Sequence, residues 1–481
     1  MKTSNRISGI MEPFTSGFIF KIVYFALVLI SFNTIALDVP YLKTILVGAS
    51  VALGGIVLLY RLINFKRFMK MKYIWLLFAF LVSYVISLLF NLKYGFIDPI
   101  QALVWMTFQY FILFLKDPAQ PREKAQKEFR IISWLFCIYM FCCSVLSILM
   151  LVFNYSAFDY ERNPIKRAGF IWGRLWGVFT DPNHGAVLAI AAIFLGIYLV
   201  KCYKKSVFAK VLCGVNIFFQ ILYIAFSDSR TGLICLMAGG TVYAYMRISG
   251  MSALQRKKFM CQTVSCIAAL CTLCVLFIIP KGVKYSYNEI VRLASTSSVE
   301  KPGPSQTPSE EKPSADRVVG REQDLESDIS NRRFDLWKSG LEVYRMKPIF
   351  GVSIFNMIPF AQQHLPNTYI INNEAGLFDN VHNAFLNVLI GQGLVGFVIL
   401  MIFAALSVIL VLKGFFKENG VVPARESSKN ALLISSLVAL AVSMLVQGDI
   451  IYLNSGPAFL FWYILGFLIV HFSGKESEAC A

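Results

Sequence analysis

Charge is what this sequence has least of. Only 15% of its 481 residues are Asp, Glu, Lys or Arg, where soluble domains carry about 25%. That scarcity, with 57% hydrophobic residues, excludes a soluble globular protein and a disordered chain. Period-2 alternation is missing from the apolar runs, which are continuous, and this excludes a β-barrel. Histidine is rare, with 4 in the chain. No DxD pair occurs in the polar connections, and no His/Cys/carboxylate cluster has metal-ligand spacing, so no metal and no cofactor is expected. The 11 cysteines fall largely inside apolar runs and avoid the long polar segment 281–381. No disulfide framework is therefore expected, and Cys271 and Cys274 read as small packing residues on one helix, not as a redox or metal pair.

What remains is apolar length. Runs of about 18 residues or more can each span a hydrocarbon core of about 30 Å. They recur near 17–37, 44–63, 73–92, 97–115, 131–153, 184–200, 207–226, 230–246, 261–280, 392–412, 430–448 and 455–472. The expected fold is an all-α polytopic membrane protein with about twelve transmembrane helices. The first run reads as a retained helix, not a cleaved signal peptide, because no small-x-small site follows it.

The net charge of +17 invites a nucleic-acid reading. The plainer explanation is topological, and no nucleic acid is expected. Basic residues crowd alternate short connections: 61–72, 116–130, 201–210, 247–258 and 413–429. The connections between them hold few. The positive-inside rule then places both termini in the cytoplasm. Two long segments, 154–183 and 281–381, fall outside. The expected divisions are 1–153, 154–280, 281–391 and 392–481. Within the longer segment, 295–331 is rich in Ser, Pro, Glu and Lys and is expected not to order itself. From 332 the spacing of Phe334, Trp337, Leu341 and Tyr344 predicts a helix face, started by Ser330 or Asn331 and ended by Lys347-Pro348. A further helix is expected from Asp379–Asn380, broken at Gly391 and Gly393.

Four groups on the outer side carry candidate chemistry. Thr180-Asp181-Pro182-Asn183-His184 has the pattern of a helix start, Asp at the N-cap and Pro at the first helical position, which explains much of it without function. Ser227-Asp228-Ser229-Arg230 puts a charge in a short outer turn; Arg230 either pairs with Asp228 or binds a ligand. Of Arg332 and Arg333, the second lies about 40° from Trp337 around a helix axis and is the better placed over the membrane surface. His382, near a helix N-terminus, is expected to be a neutral imidazole, since the helix dipole disfavours its protonation. Two guanidiniums and a neutral histidine fit a lipid-linked sugar diphosphate: Arg clamps phosphate oxygens, and His takes a proton from an attacking hydroxyl.

Residues 332–357, RRFDLWKSGLEVYRMKPIFGVSIFNM, resemble the outer-loop segment of the O-antigen ligase and polysaccharide polymerase superfamily, with Arg333, Trp337, Pro348 and Gly351 matching. Val352-Ser353 stands where a second glycine is common. VHNAFLNVLIGQGLVG at 381–396, SDSRTG at 227–232 and FTDPNHGA at 179–186 are similar to further elements of the family, in the same order. The resemblance implies a bacterial plasma-membrane glycosyltransferase with a GT-C-like fold and an extracytoplasmic active face. It would be metal-independent and inverting, with an undecaprenyl-diphosphate-linked oligosaccharide donor and a glycan acceptor. A flippase and a chain-length regulator are the implied partners besides the bilayer. Arg230 and Arg333 would hold the diphosphate, His382 would act as base, and Asn383, Asn183, Trp337 and Arg174 would support substrate binding. A repeat-unit polymerase is favoured over a ligase acting on lipid A–core. A lipid-linked oligosaccharide flippase is the reading from another class; it fits less well because no internal repeat is evident and the charges sit at the outer boundary.

Overall fold

The computed structural model describes residues 15–159, 165–250, 258–297, 317–320, 332–373, 376–418 and 424–478. Each apolar run of the sequence falls on a helix: α1 (Phe18–Ile30), α2 (Leu42–Ile63), α3 (Ile74–Phe90), α4 (Ile97–Phe108, continued as a π-helical turn to Phe114) and α5 (Arg122–Val152). α6 (Pro182–Cys202), α7 (Val207–Phe226), α8 (Arg230–Ser249) and α9 (Lys258–Ser297) follow. Two shorter outer helices, α10 (Arg333–Met346) and α11 (Met357–His364), precede α12 (Ala384–Glu418), α13 (Ala424–Ser443) and α14 (Gly456–Glu478). Among the described residues, 8 helices are long and apolar enough to cross a bilayer, and α1 and α3 are shorter apolar helices. α8 and α13 are more polar: α8 contains Arg230 and Arg247, and α13 opens on Ala-Arg-Glu-Ser-Ser-Lys-Asn.

Burial ranks the helices. α6 has 78% of its apolar window inside the protein and α14 has 72%, against 17% for α2 and α9. α6 packs on α7, α13, α5 and α8, so it is the central post, and α2 and α9 are flanks whose apolar side chains face outward. Central burial fits the sequence of α6, Ala-Val-Leu-Ala-Ile-Ala-Ala-Ile-Phe-Leu-Gly, in which small residues admit close neighbours on every side. The Asp181-Pro182-Asn183-His184 group therefore opens the most enclosed helix of the bundle.

Several features depart from the sequence-based expectations. Segment 154–183 contains strands not expected from the sequence: β1 (Ser156–Asp159), β2 (Lys166–Ile171) and β3 (Arg174–Gly177) form an antiparallel sheet in the order β1-β2-β3. Trp172 and Gly173, both at positive φ, supply the two-residue turn between β2 and β3. The fold is thus helical with one small sheet, not purely α. α9 does not stop at Pro280 but runs 40 residues with that proline inside it. At 1.5 Å per residue this is roughly 60 Å, about twice the hydrocarbon core, so the helix continues well beyond any bilayer. Its extension is anchored: Asn288 exchanges two hydrogen bonds with the backbone of Val319, at 2.7 and 2.9 Å, and the Gly320 N–H donates to the Gly173 carbonyl at 2.9 Å. Much of the 295–331 stretch, with Ser330 and Asn331, lies outside the described residues; 295–297 is helical, and Arg332 holds the N-cap position of α10. Cys271 and Cys274 are exposed free thiols on α9, not packed ones.

α10 buries a face different from the expected one. Leu336, Ser339, Gly340 and Val343 are fully inside, Trp337, Leu341 and Tyr344 flank them, and Phe334 is 66% exposed. The partner surface is α12, and a Cβ on Gly340 would meet Ile390 and Val381 side chains. The turn after α10 explains the glycines that follow. Pro348 and Ile349 carbonyls accept from the Leu394 and Val395 N–H groups, and Val352 and Ser353 donate to the Ile390 and Gly391 carbonyls. The 348–353 segment thus satisfies the backbone groups freed where α12 breaks at Gly393 (φ 64°, ψ −163°). Gly351 and Gly393 face each other's backbones closely: a Cβ would lie 2.4 Å from the Ile390 oxygen and 2.3 Å from the Ile349 oxygen, respectively. Ser353 takes φ 60° where the family often has glycine, held by hydrogen bonds from its N–H to Gly391 O and Ser87 Oγ.

Candidate functional site

Two walls of side chains carry the candidate residues. The first is built on the entry to α12. That helix starts at Ala384, later than expected, because two asparagines set its entry. Asn383 caps it, its Oδ1 accepting from Phe385 and Leu386 N–H at 3.0 and 3.1 Å. Asn380 Oδ1 accepts the His382 N–H at 2.8 Å and holds that residue at φ 51°. The Val381 carbonyl accepts the Trp337 indole N–H at 3.0 Å, and the Val381 N–H donates to Asn387 Oδ1 at 3.1 Å. His382 is thus fixed on a left-handed corner by four side chains. Asn383, expected to touch substrate, spends its oxygen on the cap.

Burial pushes the His382 imidazole below its ordinary pKa of 6.5, and the Arg333 guanidinium pushes the same way; Asp181, Asp379 and Asp449 oppose them. The shift favours the neutral ring, and its causes are desolvation and Arg333 where the sequence pointed to the helix dipole. Its ring nitrogens make no hydrogen bond among the described residues. Arg333 is half-buried beside this ring, whereas Arg332, mostly exposed, lies 3.8 Å from Asp335. Of the two arginines, Arg333 is the one whose charge acts on His382.

The second wall centres on Asn183. Its Oδ1 accepts from the Arg174 guanidinium at 3.1 Å and from Ser229 Oγ at 2.8 Å. Arg174 is buried and also donates to the Ser227 carbonyl at 2.8 Å, so it ties β3 to the α7–α8 turn and to the start of α6. Ser229 caps α8, accepting from the Gly232 N–H, and Arg230 follows as the first helical residue, half-buried. Asp228, at φ 45°, forms an ion pair at 2.9 Å with Lys284 from the extension of α9. Asp181 caps α6 through the Asn183 N–H at 2.8 Å, as its motif predicted.

Between the walls stands a pair that sequence reasoning missed. His184 Nδ1 lies 3.0 Å from Asp449 Oδ2, both residues buried, and the His184 ring stacks on Phe32 with centroids 4.1 Å apart. Among the described residues, His184 Nε2 and Asp449 Oδ1 have no hydrogen-bond partner. A signal existed: Asp449 is the one charged residue in the outer turn 444–455, where an ionisable group is costly unless it works. Asp181 and Asp449 both act on His382, so the α6 entry links the His382 wall to the Asn183 wall. Among the described residues no cluster of His, Cys, Asp and Glu is spaced to hold a metal ion.

A family model described as O-antigen ligase matches residues 215–401. The match takes in Arg230, Arg333, Trp337, His382 and Asn383 and stops short of Arg174, Asn183, His184 and Asp449. No curated protein matches the chain.

Proposed function

We propose, from the match of residues 215–401 to a family model described as O-antigen ligase, that the chain is a membrane glycosyltransferase that polymerises repeat units of a surface polysaccharide on the extracytoplasmic side. The observation that carries the reading is the neutral His382 held against Arg333 at the mouth of the bundle. An acceptor hydroxyl attacks the anomeric carbon of the undecaprenyl-diphosphate-linked glycan. The bond from that carbon to the diphosphate oxygen breaks, the configuration inverts, and His382 takes the hydroxyl proton. Arg230 and Arg333 hold the departing diphosphate, so no metal and no protonation of the leaving group is required; removing one such contact costs on the order of 3 kcal/mol. Arg230 sits on the N-terminal turn of α8, whose dipole adds to the attraction for phosphate. Arg174 and Asn183 position the Ser229–Arg230 turn.

Transfer of a finished glycan to a different acceptor is the second reading, and the likeness to O-antigen ligase over residues 215–401 favours it. Purified protein incubated with lipid-linked repeat units distinguishes them. A ladder of products supports polymerisation, and a single transfer to a lipid A–core-type acceptor supports ligation. No donor consumption in either assay, with His382→Ala behaving like wild type, refutes the enzyme reading in favour of a flippase.

A further inference from the structure

At the end of the bundle opposite His382, the end that the charge pattern assigns to the cytoplasm, several basic residues are buried, not solvated as topological charges would be. Lys21 on α1 has a side chain only 4% exposed and pairs with Glu128 at 3.3 Å. Lys116, just past α4, has a buried ammonium with no hydrogen-bond acceptor among the described residues. It sits over the ring of Tyr463 at 3.8 Å, and the Lys21 ammonium approaches the same ring at 5.9 Å. Two like charges thus share one ring, which compensates a desolvated ammonium poorly.

The carboxylates nearby are already engaged. Glu128 is taken by Lys21 and by Gln120 at 2.7 Å, and Asp117 by Arg67 at 2.5 Å. Glu418 is turned to His471 at 3.3 Å. Arg61 adds its charge to both lysines, and burial, helped by Lys21 and Arg61, pushes the Lys116 ammonium well below its usual pKa, with Glu128 opposing. Lys116 lines a cavity of about 70 Å³ with Lys21, Arg122, Gln120 and the two engaged carboxylates Asp117 and Glu128, enough for several waters or one tetrahedral oxyanion. One wall is Tyr463, Phe467 and Val470 of α14, and Val470 is 37% exposed on the apolar flank. Arg61 also lines an apolar crevice of about 410 Å³ between α2, α3 and α4.

We propose that this cavity is a binding site for a phosphate group, seated on Lys116 and Arg122 and supplied by an anionic phospholipid of the inner leaflet. A phosphate would give the Lys116 ammonium the acceptor it lacks and offset the surplus of cations. The apolar wall and the neighbouring crevice offer a place for acyl chains, which free phosphate would leave unused.

The test is the thermal unfolding midpoint of the purified full-length protein in a neutral detergent, titrated with short-chain phosphatidylglycerol, phosphatidylcholine of the same chain length, or inorganic phosphate. Phosphatidylglycerol raises the midpoint by a few degrees, as ligand binding to the folded state does; phosphatidylcholine does not, and Lys116→Met abolishes the rise. Should that variant fail to fold, Arg122→Gln on the rim requires a several-fold higher lipid concentration for the same shift. An equal rise with inorganic phosphate supports the anion site but overturns its assignment to lipid. No rise with either phosphate source, or an undiminished rise in both variants, overturns the site.

Discussion

The indole N–H of Trp337 donates to the carbonyl of Val381, the residue immediately before His382, at 3.0 Å. Two segments 44 residues apart are thereby locked, and the register of α10 against the entry to α12 sets where the imidazole stands.

Trp337→Phe keeps much of the ring packing and removes that donor, leaving a carbonyl without its partner. A lost hydrogen bond of this kind costs about 1 kcal/mol. Turnover should fall by about tenfold with donor KM little changed, because a displaced base affects the transition state more than donor binding. A KM effect larger than the turnover effect would return Trp337 to substrate contact.

The pKa of His382 is lowered chiefly by burial and then by Arg333. As a base it must be neutral, so the acid limb of the rate profile should lie below the ordinary 6.5. Arg333→Gln removes the repulsion and should move that limb towards higher pH, besides weakening donor binding; Arg333→Lys should leave the limb near its wild-type position. The stability sign follows from the same shift: the unfolded chain binds the proton more readily, so the contribution is complete above about pH 6.5 and is lost as pH falls through the lowered folded value. His382→Gln should flatten that part of the stability–pH curve, read from unfolding midpoints.

Gly393→Ala should destabilise the protein by at least ~2 kcal/mol, since the new Cβ would lie 2.3 Å from the Ile349 carbonyl oxygen at a φ of 64°. Ser353→Gly should do the reverse, by ~1 kcal/mol, because Ser353 already occupies φ 60°. Unfolding midpoints in detergent read both; a neutral Gly393→Ala would mean that the 348–353 segment does not seat in the α12 break.

The His184–Asp449 pair should show strong coupling. Asp449→Ala leaves His184 buried without its partner and should cost ~1–3 kcal/mol. The double variant His184→Phe/Asp449→Leu replaces both by apolar groups, one of which can stack on Phe32, and should recover much of that loss. Additive effects in the double-mutant cycle would show that the two residues act independently.

Membrane residence, the positions of the apolar helices and much of the candidate chemistry were legible in the chain. Apolar length and the scarcity of charge are local properties, and a bilayer admits few architectures. Asp181-Pro182 announced the start of α6, and the spacing of Arg333 and Trp337 favoured Arg333 over Arg332. The structure bears out the first. Asp449 was legible only as an isolated charge in an outer turn.

By itself, the sequence determined which segments are apolar, where the α6 entry begins, and which polar residues are rare enough to matter. The buried face of α10, the passage of α9 through Pro280, the β1–β3 sheet and the meeting of His184 with Asp449 were decided only in three dimensions. Each depends on a partner far along the chain: Ile390 and Val381 against Gly340, Val319 against Asn288, Gly320 against Gly173. Local periodicity states what a segment can bury, and only the neighbour that arrives decides which face it does bury.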